Sequence, residues 1–493
     1  MTWIEPLYTA DEMREAEAAY DGPTLELMER AGKAVAETVL QGFPDASRVS
    51  VWCGPGANGG GGFVAARLLH EAGRTVEIRL LADESRVRGD AAENLRRAKE
   101  LGVSFVAEAG PTDVVVDALF GTGFTGAPRR EAADAIELIN GLGDQAVAVD
   151  IPSGVDASTG EVTRVAVRAA ATVTFHAPKV GHVVGPGRFH AGDLEVADIG
   201  LEGVETLNGR VSSSVLELVP RRTARDNKYS AGCVVVVGGS TGMTGAACLA
   251  AEAAMRAGAG YVFACVPASL SLVFEQRLLE VVTRSCEDGG TGRLAPEALD
   301  GILDAARRAD AVALGPGLGR SDETRELVRL LLERLELPVV LDADGLWALK
   351  GHLDWVFTRE PATVLTPHAG ELARLLGLTS ERVGARRLDA VRSGADDAGA
   401  VVVLKGADTL IAAPGRGVLV SDLGNPGLAT AGSGDVLTGI LAAFLAKGME
   451  PRAAAAAATA AQGVAAGRAA QTGGYAGMIA SDVVSALSPL LSE

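Results

Sequence analysis

Near the carboxyl end, residues 424–435 read GNPGLATAGSGD and run directly into the apolar stretch VLTGILAAFLAKG. A glycine turn at Gly432 to Gly434 that opens a helix aims backbone N–H groups along the positive end of the helix dipole, an anion hole for a phosphoryl group in transfer. Asp435, one residue further, can accept the proton of an attacking hydroxyl. Gly-x-Gly-Asp alone is a weak signal, because Asp is also an ordinary first-turn residue. Its neighbours in kind strengthen it. Lys405-Gly406-Ala407-Asp408-Thr409 supplies a cation and a tight turn suited to nucleotide phosphates. Gly315-Pro-Gly317-Leu-Gly319 permits close ligand approach, and His368 stands between a strand and a helix in TPHAGE (366–371).

A second constellation lies in the first half, where residues 52–63 read WCGPGANGGGGF. Gly54-Pro-Gly56-Ala57-Asn58-Gly59 satisfies G-x-G-x-x-G directly after a strand, with Asp83 near the end of the next strand as a candidate ribose ligand. Gly60, Gly61 and Gly62 argue against a dinucleotide fingerprint, since each weakens a helix by roughly 1 kcal/mol relative to alanine. The helix is therefore expected to start near Gly62 or Phe63. A loop rich in N–H groups that feeds a helix remains an anion site, whereas a P-loop is excluded because no Gly-Lys-Ser/Thr follows. Two more post-strand segments, Asp117 to Gly126 and Asp150 to Asp156, repeat the pattern of carboxylate followed by turn. Asn58, Asp117 and Ser153 offer oxygen ligands of low total charge, which suit a hard monovalent or divalent cation better than zinc. The competing reading makes Asp117 and Asp150 simple helix caps.

These residues need rigid elements behind them. RVSVWC, TVEIRLL, DVVVDALF and QAVAVDI are short β-branched runs separated by helical stretches such as 88–101, and Thr9-Ala-Asp-Glu12 is a capping box that opens the first helix. A second cycle runs through CVVVVGG, YVFACV, AVALG, PVVLDAD, TVLTP and VVVLKG. Strands alternating with helices give parallel, doubly wound sheets whose ligands sit outside the carboxyl ends of the strands. At 493 residues two or three domains are expected. The polar passage at 215–227 is the candidate boundary, giving domains 1–217 and 222–493.

A net charge of −18 opposes binding to nucleic acid or anionic membranes. Five cysteines without a Cys-x-x-Cys pairing favour a reducing compartment, and the amino terminus lacks a signal-peptide pattern, so a cytoplasmic protein is expected. The alanine-rich stretch 453–470 reads as a packed helix rather than a membrane span. Abundant aliphatic residues are compatible with a homo-oligomer, which is the expected state.

GPGANGGGGFVAAR, DALFGTGF and VDIPSGVD resemble the NAD(P)H-hydrate epimerase family over roughly residues 1–215. The resemblance implies a Rossmann-like domain that interconverts the R and S hydrates of NADH and NADPH. It implies K⁺ held by Asn58, Asp117 and Ser153. Substrate would lie against Ala57, Asn58, Gly59, Gly60 and Gly61, against Gly121, Thr122, Gly123, Phe124, Thr125, Gly126 and Ala127, and against Asp150. The family loop usually reads Gly-Asn-Asn-Gly-Gly-Asp-Gly, and this chain has Ala57 for the first Asn and Gly61 for the Asp. Asp150 is then the best remaining acid/base candidate.

From Lys228 onward the motifs GGSTGMTGAA, GPGLG, LDADGL, TPHAGE, LKGADT and GNPGLATAGSGDVLTG resemble the ribokinase-like NAD(P)H-hydrate dehydratase family. The resemblance assigns Ala246, Gly317, His368 and Asp435 to the hydrate. It assigns Lys405 to Thr409 and Gly434 to the adenine nucleotide. The implied reaction is phosphorylation of the C6 hydroxyl by ADP with Mg²⁺, then loss of phosphate. The resemblance implies ADP for bacterial and archaeal members and ATP for eukaryotic ones, and a composition rich in arginine, alanine and glycine suggests a prokaryotic source, so ADP is expected. The rival readings are a dehydratase with a noncatalytic nucleotide-binding first half, and a vitamin or sugar kinase on the same fold.

Overall fold

The computed structural model describes residues 3–143 and 145–490. The chain divides into two compact units, residues 6–208 and residues up to Glu5 together with those from Gly209 onward. The chain thus changes body at 208/209, ahead of the 217–222 interval read from the sequence. The reason is pairing: β1 (Ile4–Pro6) and β9 (Gly209–Val211) form the edge of the larger sheet, so residues 209–217 belong to it rather than to the first body.

The first unit carries β2 (Arg48–Cys53), β3 (Thr75–Leu80), β4 (Ser104–Phe105), β5 (Val114–Ala118), β6 (Ala146–Val149), β7 (Ala171–Phe175) and β8 (Asp193–Ala197). They form one parallel sheet in the order β4-β3-β2-β5-β6-β7-β8. Counted within the unit, this is the 3-2-1-4-5-6 order of a dinucleotide-type sheet with one strand added. Alternate residues serve opposite faces. Val114 and Val116 join the core of Val35, Phe63 and Leu69, while Val115 joins that of Ile136 and Ile139. Both faces are therefore covered, as the sequence pattern requires.

The helix after β2 spans Ala57–Glu71, five residues earlier than Gly62. Packing overrides propensity here. A Cβ at Gly59 would stand 1.9 Å from the Gly54 carbonyl oxygen, one at Gly60 2.5 Å from Met28 Sδ, and one at Gly62 2.6 Å from Ala118 Cβ. The glycines let the first helical turns press against the preceding loop, the helix that carries Met28 and the strands, which outweighs about 1 kcal/mol of helix propensity at each. Gly59 thus fills the packing role of the third fingerprint glycine. Asp83, the candidate ribose ligand, is exposed and accepts a hydrogen bond from Ser85 N (2.8 Å) at the start of a 3₁₀ turn.

The second unit adds β10 (Cys233–Val237), β11 (Tyr261–Pro267), β12 (Val282–Cys286), β13 (Ala311–Leu314), β14 (Val339–Leu341), β15 (Thr363–Leu365), β16 (Val401–Leu404), β17 (Thr409–Ala412) and β18 (Leu419–Ser421). The run β12-β11-β10-β13-β14-β15-β16 is parallel, and β17 and β18 extend it antiparallel toward β9 and β1. Again the order within the run is 3-2-1-4-5-6-7. β10 is buried at every position because helices cover both faces, which is why it reads as an unbroken apolar run. The alanine-rich stretch is the helix Pro451–Gly473, buried from Ala454 to Gly463. Among the described residues no helix is long and apolar enough to cross a membrane. All five cysteines are free and buried.

Candidate active sites

In the first unit the chain passes β2, then jumps past β3 and β4 to place β5 on the other side of β2. Loops that leave adjacent strands at such a switch point diverge and open a crevice. A cavity of about 720 Å³ lies there. Ala57, Asn58, Gly61, Gly121, Thr122, Gly123, Phe124, Thr125 and Asp150 line it. Gly59 and Gly60 face the body of the unit instead, and Gly126 and Ala127 lie beyond the lining. At Gly61 the wall is open: a Cβ there would meet nothing nearer than Val149 Cγ1 at 3.7 Å.

Asp117 and Ser153 sit beneath the cavity loop, both fully buried. Ser153 Oγ donates to Asp117 Oδ1 (2.6 Å) and Ser153 N to Oδ2 (2.8 Å), while Phe120 N donates to Ser153 Oγ (2.9 Å). Asn58 Nδ2 reaches the Phe120 carbonyl at 2.9 Å. Burial pushes the Asp117 carboxyl up to about 6, and hydrogen bonds from Ser153 and Leu119 only partly offset it. The geometry therefore holds a carboxylate that wants positive charge and has no ion pair among the described residues. Around it are neutral oxygens, and among the described residues no group of three or more His, Cys, Asp or Glu forms a metal-binding cluster. That donor set fits a hard cation of low charge.

Asp150 follows β6 with φ +67°, a left-handed conformation rare outside glycine. Its Oδ1 is 2.8 Å from Lys179 Nζ and accepts from Thr174 Oγ1 at 3.1 Å. Lys179 is 0% exposed and also donates to the Phe175 carbonyl (2.9 Å). Burial alone would raise the Asp150 pKa, but Lys179, His182 and Thr174 outweigh it and hold the carboxyl below its ordinary value. The His182 ring accepts from Lys179 N at Nδ1 (3.0 Å), so its proton sits on Nε2, which donates to the Asp150 carbonyl at 2.8 Å. Burial and Lys179 lower its pKa to about 4, keeping it neutral. Lys179, Thr174 and His182 form no recognisable motif. The one signal was Lys179 and His182 inside the apolar run PKVGHVVG, where charges survive only if paired.

The second unit repeats the switch point, between β10 and β13. The loops that follow touch: Ser240 Oγ donates to the Gly317 carbonyl (2.9 Å), and a Cβ at Gly317 would lie 3.2 Å from Ala246 Cβ. Gly317 has φ +62°. From β14 comes Asp342, 1% exposed, whose Oδ1 is 2.7 Å from Lys405 Nζ and whose Oδ2 accepts from Thr438 Oγ1 at 2.7 Å. His368 pairs with Lys405 in a parallel bridge. Its Nδ1 caps the helix Ala369–Leu376 by accepting from Gly370 N (3.0 Å), which leaves an Nε2–H donor on an exposed ring.

The helix Ser433–Ala446 starts at Gly432 with φ +89°. Its first N–H groups have no partners within the helix. Gly434 admits Lys405: a Cβ there would lie 3.2 Å from Nζ and 3.5 Å from Asp342 Oδ2. Asp435 is pushed up to about 7, first by burial and then by the Asp342 charge, with Lys405 opposing. Lys405 itself stands above its ordinary value, because Asp342, Glu371 and Asp435 outweigh the cost of burial. Asp408, expected at the nucleotide, is 2% exposed and ion-paired to Arg387 Nε (2.8 Å). It braces the turn from inside while Lys405 points into the site. The role of Arg387 was invisible in the sequence, since it lies 21 residues from its partner.

Residues 24–181 match the family model described as YjeF-related protein N-terminus, and residues 234–489 match that described as NAD(P)H-hydrate dehydratase. A bifunctional NAD(P)H-hydrate repair enzyme of Moorella thermoacetica is 41% identical, covering 98% of this chain and 96% of that one. The enzyme of the same description from Escherichia coli K12 is 36% identical over 99% and 94%. A solved ribokinase-like superfamily protein of Enterococcus faecalis V583 is 23% identical with a TM-score of 0.50, covering 59% of this chain and 98% of its own, a likeness of fold. With both halves matched in order and over almost the whole length, the chain belongs to the bifunctional NAD(P)H-hydrate repair enzyme family.

Proposed function

We propose that this chain repairs hydrated nicotinamide nucleotides in the cytoplasm. The first unit interconverts the R and S hydrates of NADH and NADPH in the 720 Å³ cavity. The second unit converts the S hydrate and ADP into NAD(P)H, AMP and phosphate. The observation that carries the reading is the convergence of Asp435 and Lys405 on the glycine start of the Ser433–Ala446 helix, at the edge where Ala246, Gly317 and His368 also lie.

In the second unit Asp435 takes the proton of the C6 hydroxyl as that oxygen attacks the β-phosphorus of ADP and AMP leaves; Mg²⁺ arriving with the nucleotide would add positive charge at its phosphates. The N–H groups of the first helical turn and the Lys405 ammonium stabilise charge on the transferred group. Loss of phosphate from C6 with a proton from C5 restores the ring double bond. In the first unit Asp150, kept ionised by Lys179, is the base, and the unpaired backbone donors at the very start of the Ala57–Glu71 helix serve the nucleotide. Asn58, Asp117 and Ser153 would hold K⁺, which when bound supplies the positive charge that Asp117 lacks.

The test supplies pure S hydrate and ADP to the full chain and follows phosphate, AMP and the absorbance of reduced nicotinamide together. All three should rise in step. A stable phosphorylated alcohol would instead make the second unit a kinase. Pure R hydrate given to Asp435→Ala should convert to S faster than spontaneously, and no acceleration would leave the first unit a binding module.

A further inference from the structure

The cavity of the first unit holds three carboxylates, Glu17, Asp90 and Asp150. Asp150 is tied to Lys179, and Asp90 accepts from Thr24 Oγ1. Glu17 is different: its carboxylate makes no hydrogen bond and no ion pair among the described residues, yet its position is fixed. Its helix, Ala10–Ala18, follows a segment stitched to the chain beside Lys179, with Tyr8 N donating to the Pro178 carbonyl and Val180 N to that of Tyr8, both at 3.0 Å. At the helix start Ala10 N donates to Ser158 Oγ (3.0 Å), on the loop that leaves Asp150. Met13 and Ala16 are buried on the inner face and Thr9 with Glu12 closes a capping box, so the last turn is held with Glu17 exposed at the cavity rim. A free carboxylate delivered by three anchors to a ligand cavity has no structural work to explain it.

We propose that Glu17 is the second proton-transfer residue of the first site, giving its proton to the hydroxyl that leaves C6 while Asp150 takes one from the water that returns. The proposal rests on the epimerase reading. As the C6–O bond breaks, its electron pair stays on oxygen, which leaves as water with the Glu17 proton, and the ring nitrogen lone pair forms the N1=C6 bond. Water then forms a new C6–O bond on the opposite face and loses a proton to the Asp150 carboxylate. Exchange with solvent at the rim restores both groups. The two environments suit the two roles. Loss of hydration against the wall, then the Asp150 charge, raises the Glu17 pKa, with Lys179 and Arg14 opposing, whereas Asp150 stands below its ordinary value.

The test uses the full chain without ADP, pure R hydrate in ¹⁸O-water, and chiral separation of the products. Wild type should accelerate conversion to S and place solvent oxygen at C6. Glu17→Gln should lose on the order of 10² in kcat with KM nearly unchanged, Glu17→Asp should recover part of it, and both should dehydrate S hydrate with ADP at the wild-type rate. A Glu17→Gln enzyme as fast as wild type overturns the role of Glu17 and leaves the epimerase reading intact. Acceleration without solvent oxygen overturns the water-loss step. A wild type no faster than the spontaneous reaction overturns the epimerase reading and this proposal together.

Discussion

Both units wind the same strand order and both bury an Asp–Lys pair at the carboxyl edge of the sheet, but the pairs do opposite things. In the first, Lys179 grips Asp150 itself, and the cavity carboxylate is held ionised. In the second, Lys405 grips Asp342, and the charge of Asp342 helps raise Asp435, the proposed base, to about 7. The same kind of ion pair thus holds one carboxylate below its ordinary pKa and leaves its counterpart poised near neutrality. What decides the outcome is whether the lysine meets the working carboxylate or its neighbour.

The largest effect expected from breaking this comparison is at Asp435. Asp435→Asn should reduce ADP-dependent dehydration by roughly 10²–10⁴-fold while R to S conversion is unaffected. In the intact enzyme the base works only when ionised, so kcat/KM should rise with pH through a limb near 7. Asp342→Asn removes the like charge and should move that limb to lower pH; a limb that stays put would mean Asp342 does not tune the base. In the first unit, Lys179→Met strands a buried carboxylate and should destabilise that unit by about 3–5 kcal/mol, read from its denaturant transition. If the loss is small, Asp150 is not held by the lysine.

The smallest effects contrast two neighbouring glycines. Gly59→Ala drives a Cβ against the Gly54 carbonyl, a backbone atom with little room to move, and should cost about 1–3 kcal/mol or more. Gly61→Ala meets open space and should gain up to about 1 kcal/mol from helix propensity. Equal shifts in thermal midpoint would refute the packing account of this helix.

The strands were legible because each buried strand is a short β-branched run bounded by turn residues, and RVSVWC became β2 residue for residue. The capping box at Thr9 and Glu12 was legible for the same local reason. The start of the helix at Ala57 was not, since propensity sees four weak formers while the fold needs three of them, Gly59, Gly60 and Gly62, to lack a Cβ. Nor was the pairing of Asp408, whose carboxylate Arg387 holds from a helix 21 residues away in the chain.

The sequence by itself determined the layer scheme, the two cycles of strand and helix, and the loops at which chemistry could occur, because periodicity and turn chemistry act over a few residues. The tertiary structure alone decided which carboxylate meets a lysine, which glycines are packing and which open onto a cavity, and that Glu17, from a helix before the first sheet, reaches the same cavity as Asp150. Those outcomes depend on side chains brought together from distant positions, where burial and a neighbouring charge, rather than residue type, set the protonation state.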